Sequence, residues 1–492
     1  MNAPAGAIVR ARAASARLRA AGWPARRELL RRLRLSMATD LDGLAGEISA
    51  VTGKPRAEAL MSEIYPCLEI LRYYEREAER ILAPRRRPTP FFFTGSASRV
   101  EYRPYGAVLV IGPYNFPFQL TFIPAVTALA AGNAAVIKPS ELAPGAGALL
   151  TRVISAAGGE PDLFIVEEGG REKARELIEA GPDKVFFTGG AAGGRAVMAL
   201  CAEKATPLCL ELGGKAPMIV FDDADLERAA QGAAYGAFCN AGQVCVSTER
   251  IYVQRGAYDA FMGKFLAAAA AVSPGGPDGD YGPMISREKA ESVIAMAKEA
   301  ESGGGRILTP VRYENGVLYP VIVAEPPQDC RLMTEEIFGP AAAVVPFGSE
   351  EEGLRLAGSH HSGLAASVWT RDRERAARAA AALDAGSISV NDAIRAVGSP
   401  YLPFGGMKSS GFGRYHGPEG LYEFSRQAAV MENFSSAPSE PNWLPYGPEL
   451  YGAMRDSLRA MFGPFSPAAW RKAFGASRLI KERRDRGTRN GV

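Results

Sequence analysis

The chain has 492 residues with 57 basic against 54 acidic side chains and a hydrophobic fraction of 47%, which is length for roughly three domains of ~150 residues and apolar content enough for a large core. Near charge balance argues against general nucleic-acid binding. Six cysteines scattered at 67, 201, 209, 239, 245 and 330 without a CxxC pair fit neither a disulfide framework nor a zinc site and suit a reducing, cytoplasmic setting, and three histidines (His360, His361, His416) argue against a multi-histidine metal centre.

The Arg- and Ala-rich N-terminus resembles a transit peptide in composition but lacks the apolar core of a secretory signal, so it reads as the first helix of the fold. Helical periodicity runs over residues 10–80. "APRRRPTPFFFTG" breaks it, and "SRVEYRPYG" reads as extended chain. Residues 106–137 carry no charge, yet Pro113, Pro117 and Pro124 interrupt them, so strand, turn, buried helix, strand is the better reading than a membrane span. From 107 short apolar strands alternate with helices through "PLCLELGG", and a second such series runs from "APMIVF" to "SISVND". This alternation predicts an α/β fold built on parallel sheets. "QAAVMENF" (427–434) stands alone as a strand candidate, and a strand edge without a neighbour invites a partner chain. In the tail, "LYGAMRDSLRAMF" sets Leu450, Met454, Leu458 and Met461 on one helical face, with Arg455 and Arg459 elsewhere. Eight basic side chains between Arg471 and Arg489, against Glu482 and Asp485, follow it. Residues 450–489 are thus a candidate for peripheral membrane contact. The alternative is that the helix packs over the protein's own substrate opening or a dimer mate.

Several short stretches carry candidate chemistry. Cys245 ends "NAGQVC", whose glycine permits a tight turn that exposes a thiol, though a lone cysteine is more often structural. Glu211 opens "ELGGK", where two glycines let another group approach the backbone, and a carboxylate held there could act as a general base. Asn115 in "GPYNFP" lies between two prolines and could donate to an oxyanion or cap the helix that follows. "KPSE" (138–141) offers a lysine and a carboxylate for ribose hydroxyls or for solvent. "FFTGGAAGG" (186–194) is a Gly-rich strand-to-helix turn suited to phosphate, without the GxGxxG spacing. "EEIFGP" (335–340) joins carboxylates to an aromatic residue.

In the order PYNFP, KPSE, FTGG, ELGGK, GQVC, EEIFGP, PFGG, from 113 to 406, these stretches resemble the aldehyde dehydrogenase superfamily, and the 34-residue step from Glu211 to Cys245 fits it. The short N-terminus, "YLPFGG", "GFGRYHG" and "IYPCLEI" resemble its class 3, fatty and aromatic aldehyde branch. The resemblance implies a Rossmann-like parallel-sheet cofactor domain, a second α/β catalytic domain and a small β bridging or oligomerisation element. The implied divisions are 1–83 and 103–210 (cofactor), 84–102 and 394–436 (bridging), 211–393 (catalytic) and 437–492 (tail). It also implies that Cys245 attacks the aldehyde, Asn115 holds the oxyanion, and Glu211 activates water to hydrolyse a thioester. Lys138 and Glu141 would meet the adenosine ribose, Gly189 and Gly194 the pyrophosphate turn, Glu336 and Phe338 the nicotinamide end, and Tyr65 and Tyr114 the substrate. Gly190 departs from the serine frequent in the family.

The implied cofactor is NAD, since Glu141 would accept from a free 2′-hydroxyl, with NADP also admitted. The implied substrate is a medium- or long-chain aliphatic or aromatic aldehyde, and the implied assembly a homodimer. Rival readings are a CoA-acylating dehydrogenase, against which Glu211 argues, and a catalytically silent protein on the same scaffold, against which the joint presence of Asn115, Glu211 and Cys245 argues.

Overall fold

The computed structural model describes residues 3–93, 95–276, 278–436, 440, 442–444 and 446–473. Two compact units divide the chain: Met1–Ala83 with Tyr102–Ala428, and Pro84–Glu101 with Ala429–Val492.

The larger unit holds two parallel sheets. In the first, five strands lie in the order Phe164–Val166, Ala134–Lys138, Ala107–Ile111, Lys184–Thr188, Leu208–Glu211, and Gly411–Phe412 adds an antiparallel edge. Numbered along the chain, the five run 3-2-1-4-5, the order of a Rossmann-like sheet, whose ligand crevice opens where strand 1 lies beside strand 4. In the second sheet Val321–Ala324, Ala341–Phe347, Thr248–Gln254, Ala216–Val220, Ala365–Trp369 and Ser387–Val390 are parallel, with Arg306–Ile307 an antiparallel edge. Runs such as "AVLVI", "APMIV" and "AASVW" are buried at every position. They are continuous rather than alternating because helices cover both faces of a parallel sheet.

The charge-free stretch from 106 folds as its prolines suggest. The strand Ala107–Ile111 leads through a turn to the helix Gln119–Ala130, buried from Leu120 to Ala130, and then to Ala134–Lys138. Among the described residues no helix is long and apolar enough to cross a membrane. The N-terminal helix spans Ala3–Thr39, bent at Gly22 (φ 76°) two residues before Pro24, and buries Ala7, Ala11, Leu30 and Leu33.

In the smaller unit, "APRRRPTPFFFTG" contains a three-residue strand, Arg85–Arg87, and a single 3-10 turn, Phe91–Phe93. The strand candidate with no sequence neighbour is Ser425–Asn433. It hydrogen-bonds beside Ser96–Pro104 in its own chain, in a three-stranded sheet of which it is the outer member. Most of the basic run at 471–489 lies outside the described residues.

Candidate active site

The two sheets meet at "ELGGK". Glu211 ends the last parallel strand of the first sheet and Ala216 begins the first strand of the second, so residues 212–215 form the crossover. Its glycines are needed for close approach: a Cβ on Gly214 would stand 2.5 Å from the Cys245 carbonyl oxygen, and one on Gly213 would overlap the Glu336 carboxylate. The glycine pair therefore lets three chain segments converge on one point.

Cys245 follows a sharp loop, Cys239–Gly242, in which Asn240, Ala241 and Gly242 are all left-handed (φ 50°, 54° and 66°). Such backbone persists in non-glycine residues only when neighbours over-determine it. Here Glu58 accepts from the Asn240 N–H at 2.5 Å, the Asn240 amide donates to the Asn115 carbonyl at 3.0 Å, and the Gln243 side chain accepts from the Ile285 N–H at 2.8 Å. The thiol is free, and burial foremost, then the Glu336 and Glu211 charges, push it up to about 12; the N–H groups of Cys245 and Val246 pull the other way.

Asn115 had two readings, and helix capping falls away. The helix Gln119–Ala130 is instead capped by Glu63, whose carboxylate accepts from the Phe118 and Gln119 N–H groups at 3.0 and 2.9 Å. The Asn115 amide donates to the Gln243 carbonyl at 2.8 Å, which uses one of its two N–H bonds and leaves the other. Lys54 donates to Glu63 at 2.7 Å and to the Asn115 carbonyl at 3.1 Å, and both members of this ion pair are buried. Losing one partner of such a pair costs about 3–5 kcal/mol, because the other is left charged and alone.

Glu211 is buried, and among the described residues neither carboxylate oxygen has a hydrogen-bond partner. Burial raises its pKa well above the usual carboxylate range; Arg414 opposes the shift and Glu423 adds to it. A second buried pair serves "EEIFGP": Lys215 donates to Glu249 at 2.7 Å, and Glu249 accepts from the Ile337 and Phe338 N–H groups at 3.0 and 3.1 Å. That holds Phe338 in a left-handed conformation (φ 50°), with its ring edge-on to Tyr114 at 6.0 Å. Glu336 accepts from the Gly214 N–H at 3.2 Å, and burial, then the Glu249 charge, raise its pKa to about 7.

One cavity of about 480 Å³ lies at the switch point of the first sheet. It brings together Cys245, Glu211, Asn115, Tyr114, Lys138, Glu141, Gly189, Glu336 and Phe338. Lys138 is buried and donates to Glu141 at 2.6 Å. Two sequence candidates are not on its wall. Tyr65 starts the helix Tyr65–Leu82 and is half exposed. Gly194 is buried in the helix Ala191–Glu203, where a Cβ would lie 2.5 Å from Leu212, so it serves packing against the crossover. Thr188, Arg171, Lys289 and Tyr415 also line the cavity and were not singled out by sequence reasoning. Neither were Lys54, Glu63 and Glu249, since nothing in a sequence marks a charge as buried. The one available signal was a single Glu-Arg pair opening the apolar strand "TERIYVQ".

The donor set fits a nicotinamide dinucleotide. Among the described residues the buried Thr188 hydroxyl has no partner and a Cβ on Gly190 would meet nothing within 4 Å, so the turn after the fourth strand is an open cradle. The carboxylates of Glu141 and Glu336 line the same cavity.

The sequence model of the aldehyde dehydrogenase family matches residues 4–430. A 4,4'-diapolycopene aldehyde oxidase of Methylomonas sp is 43% identical over 433 residues, 88% of this chain and 82% of that protein. A 4,4'-diaponeurosporen-aldehyde dehydrogenase of Staphylococcus aureus is 30% identical over 431 residues, 86% and 92% of the two chains. Among solved structures, PnpE in complex with nicotinamide adenine dinucleotide superposes with a TM-score of 0.83 at 31% identity, covering 87% of this chain and 89% of that one.

Proposed function

The chain belongs to the aldehyde dehydrogenase family, and from that premise we propose that it oxidises apolar, long-chain aldehydes to carboxylic acids through a thioester on Cys245. The observation that carries this reading is the Glu211 carboxylate, buried with both oxygens unpartnered in the cavity that also holds the thiol. A water in that cavity would find in it a proton acceptor of raised basicity.

Cys245 sulfur bonds to the aldehyde carbon as its proton passes to solvent, and the free N–H of Asn115 with the Cys245 backbone N–H stabilises the developing oxyanion. A bound NAD would supply the hydride acceptor and a positive ring that favours thiolate. Loss of the hydride and collapse of the oxyanion leave the thioester. Glu211 takes a proton from water as its oxygen attacks the acyl carbon. The C–S bond breaks and the proton held by Glu211 passes to the departing sulfur, giving acid and free thiol. No histidine is required. Lys138 and Glu141 would hold the adenosine ribose, Gly189 and Gly190 the pyrophosphate, and Glu336 the nicotinamide ribose, with Phe338 and Tyr114 beside it. A carboxylate at 141 favours a free 2′-hydroxyl, hence NAD. Its ion pair with Lys138 and the neighbouring Arg171 soften repulsion of a 2′-phosphate, so NADP is accepted more weakly.

The names of the Methylomonas and Staphylococcus relatives support an apolar polyene or fatty aldehyde as substrate. A homodimer is the assembly expected, with the outer edge of Ser425–Asn433 open to a partner chain. Steady-state assays with NAD test the substrate and acceptor together. Expected is a higher kcat/KM for a long apolar aldehyde than for succinic semialdehyde, and a rate unchanged by CoA. Preference for the semialdehyde, or dependence on CoA, would overturn the reading.

Glu336 makes the cofactor step pH-dependent. With its pKa raised to about 7, it carries a proton below that value and must release it to accept from a ribose hydroxyl. The KM for NAD should therefore climb as pH falls from 8 to about 6, by roughly tenfold if one proton is expelled per cofactor bound. Glu336→Gln should flatten that profile and leave KM high throughout; an unchanged slope would remove Glu336 from the role.

A further inference from the structure

The tail holds the chain's excess of positive charge. Residues 442–492 contain ten basic and four acidic side chains, so the first 441 residues hold the other 47 basic and 50 acidic of the totals 57 and 54. The helix Pro448–Phe462 buries Leu450, Ala453, Ser457 and Ala460. Met454 and Met461 are half-buried. Most of the face that the sequence pattern marks as apolar is therefore already covered.

The opposite face is unusual for one left to water. Tyr451, Arg455, Leu458, Arg459 and Phe462 recur at i, i+4, i+7, i+8 and i+11, which sets them on one side of the helix; Leu458, expected on the covered face, lies at the boundary of the two and is exposed. All five are exposed, Tyr451 at 69% and Phe462 at 78%. Leu444 (76%) and Phe465 (84%) extend the apolar character past both helix ends. A solvated helix face is ordinarily polar. Rings and aliphatic groups interleaved with guanidinium groups suit the boundary between lipid headgroups and acyl chains instead, where rings lie at headgroup depth and arginines meet phosphate. Arg455 pairs with Asp456 at 3.0 Å and lies over the Tyr451 ring at 5.9 Å, which orients the cation alongside the aromatic.

We propose that this outward face of the tail helix docks on an anionic lipid surface. Charge decides between that occupant and a second copy of the chain. A twofold contact would set two like-charged basic faces against each other, whereas an anionic bilayer attracts them and the basic run that follows. The proposal does not rest on the substrate reading, since lipid binding is measured without turnover.

The test is co-sedimentation of the full chain with vesicles of phosphatidylcholine alone or with about one-third phosphatidylserine. Expected is pelleting with the anionic vesicles, weakened by roughly 0.5 M salt and by the absence of phosphatidylserine. Phe462→Ser with Phe465→Ser, and separately Arg455→Gln with Arg459→Gln, should each lower the bound fraction about tenfold at an unchanged melting temperature. No pelleting, or pelleting that neither variant alters, overturns the proposal. So does a fall in light-scattering mass in the variants without any vesicle binding by the parent, which would assign the face to a second copy.

Discussion

Cys245→Ser should lower kcat by about three orders of magnitude or more while leaving the melting temperature unchanged. The change replaces sulfur by oxygen in nearly the same volume, so the loop held by Glu58, Asn240 and Gln243 keeps its contacts. What it removes is a nucleophile that can become anionic. In the resting site the thiol is held near 12 by burial and by the carboxylates of Glu336 and Glu211. On the proposed route it is therefore a thiol that needs activation, and a serine hydroxyl in the same surroundings would be far harder to deprotonate. Stopped assays with NAD and a long apolar aldehyde, alongside thermal melts, check this. A folded serine variant turning over within tenfold of the parent would falsify nucleophilic attack by Cys245.

Glu211→Gln should separate the two halves of the reaction. The amide is the same size but cannot take a proton from water, so acylation with its release of NADH persists and hydrolysis stalls. A burst of NADH close to one per site should precede a steady rate lower by about 10²–10⁴. The variant should also fold at least as well at pH 8. A carboxylate whose folded pKa is raised contributes stability below its unfolded value, and that contribution is lost as pH rises through the folded one. Above that range the parent must bury a charge and the glutamine need not. Steady turnover at the parent rate, with no burst, would remove Glu211 from deacylation.

The layout was legible in the sequence because parallel strands buried on both faces leave unbroken apolar runs, and because "ELGGK" joins two such series. What spacing could not convey was which charges sit inside. No pattern in the sequence singles out Lys54 and Glu63, yet they anchor the Asn115 carbonyl and cap the next helix. Glu249, four residues past Cys245, holds the Phe338 loop for the same hidden reason. Asn115 stayed ambiguous until its helix was seen to be capped by a residue on another segment. Gly194 follows the Gly-rich turn in sequence, but helical rotation aims it at Leu212 instead of the cavity. The partner of the lone strand, Ser96–Pro104, lies too far upstream for any local pattern to reveal the pairing.

Intact-mass analysis of acid-quenched Glu211→Gln after mixing with NAD and an apolar aldehyde tests the thioester route most directly. Expected is a mass gain equal to the acyl group less one hydrogen, on the Cys245 peptide alone, at close to one per chain. The adduct should be absent without NAD, because the hydride must leave before the adduct becomes an acyl group, and absent in Cys245→Ser. An unmodified chain in the presence of an NADH burst, or an acyl group on any residue other than Cys245, would contradict it.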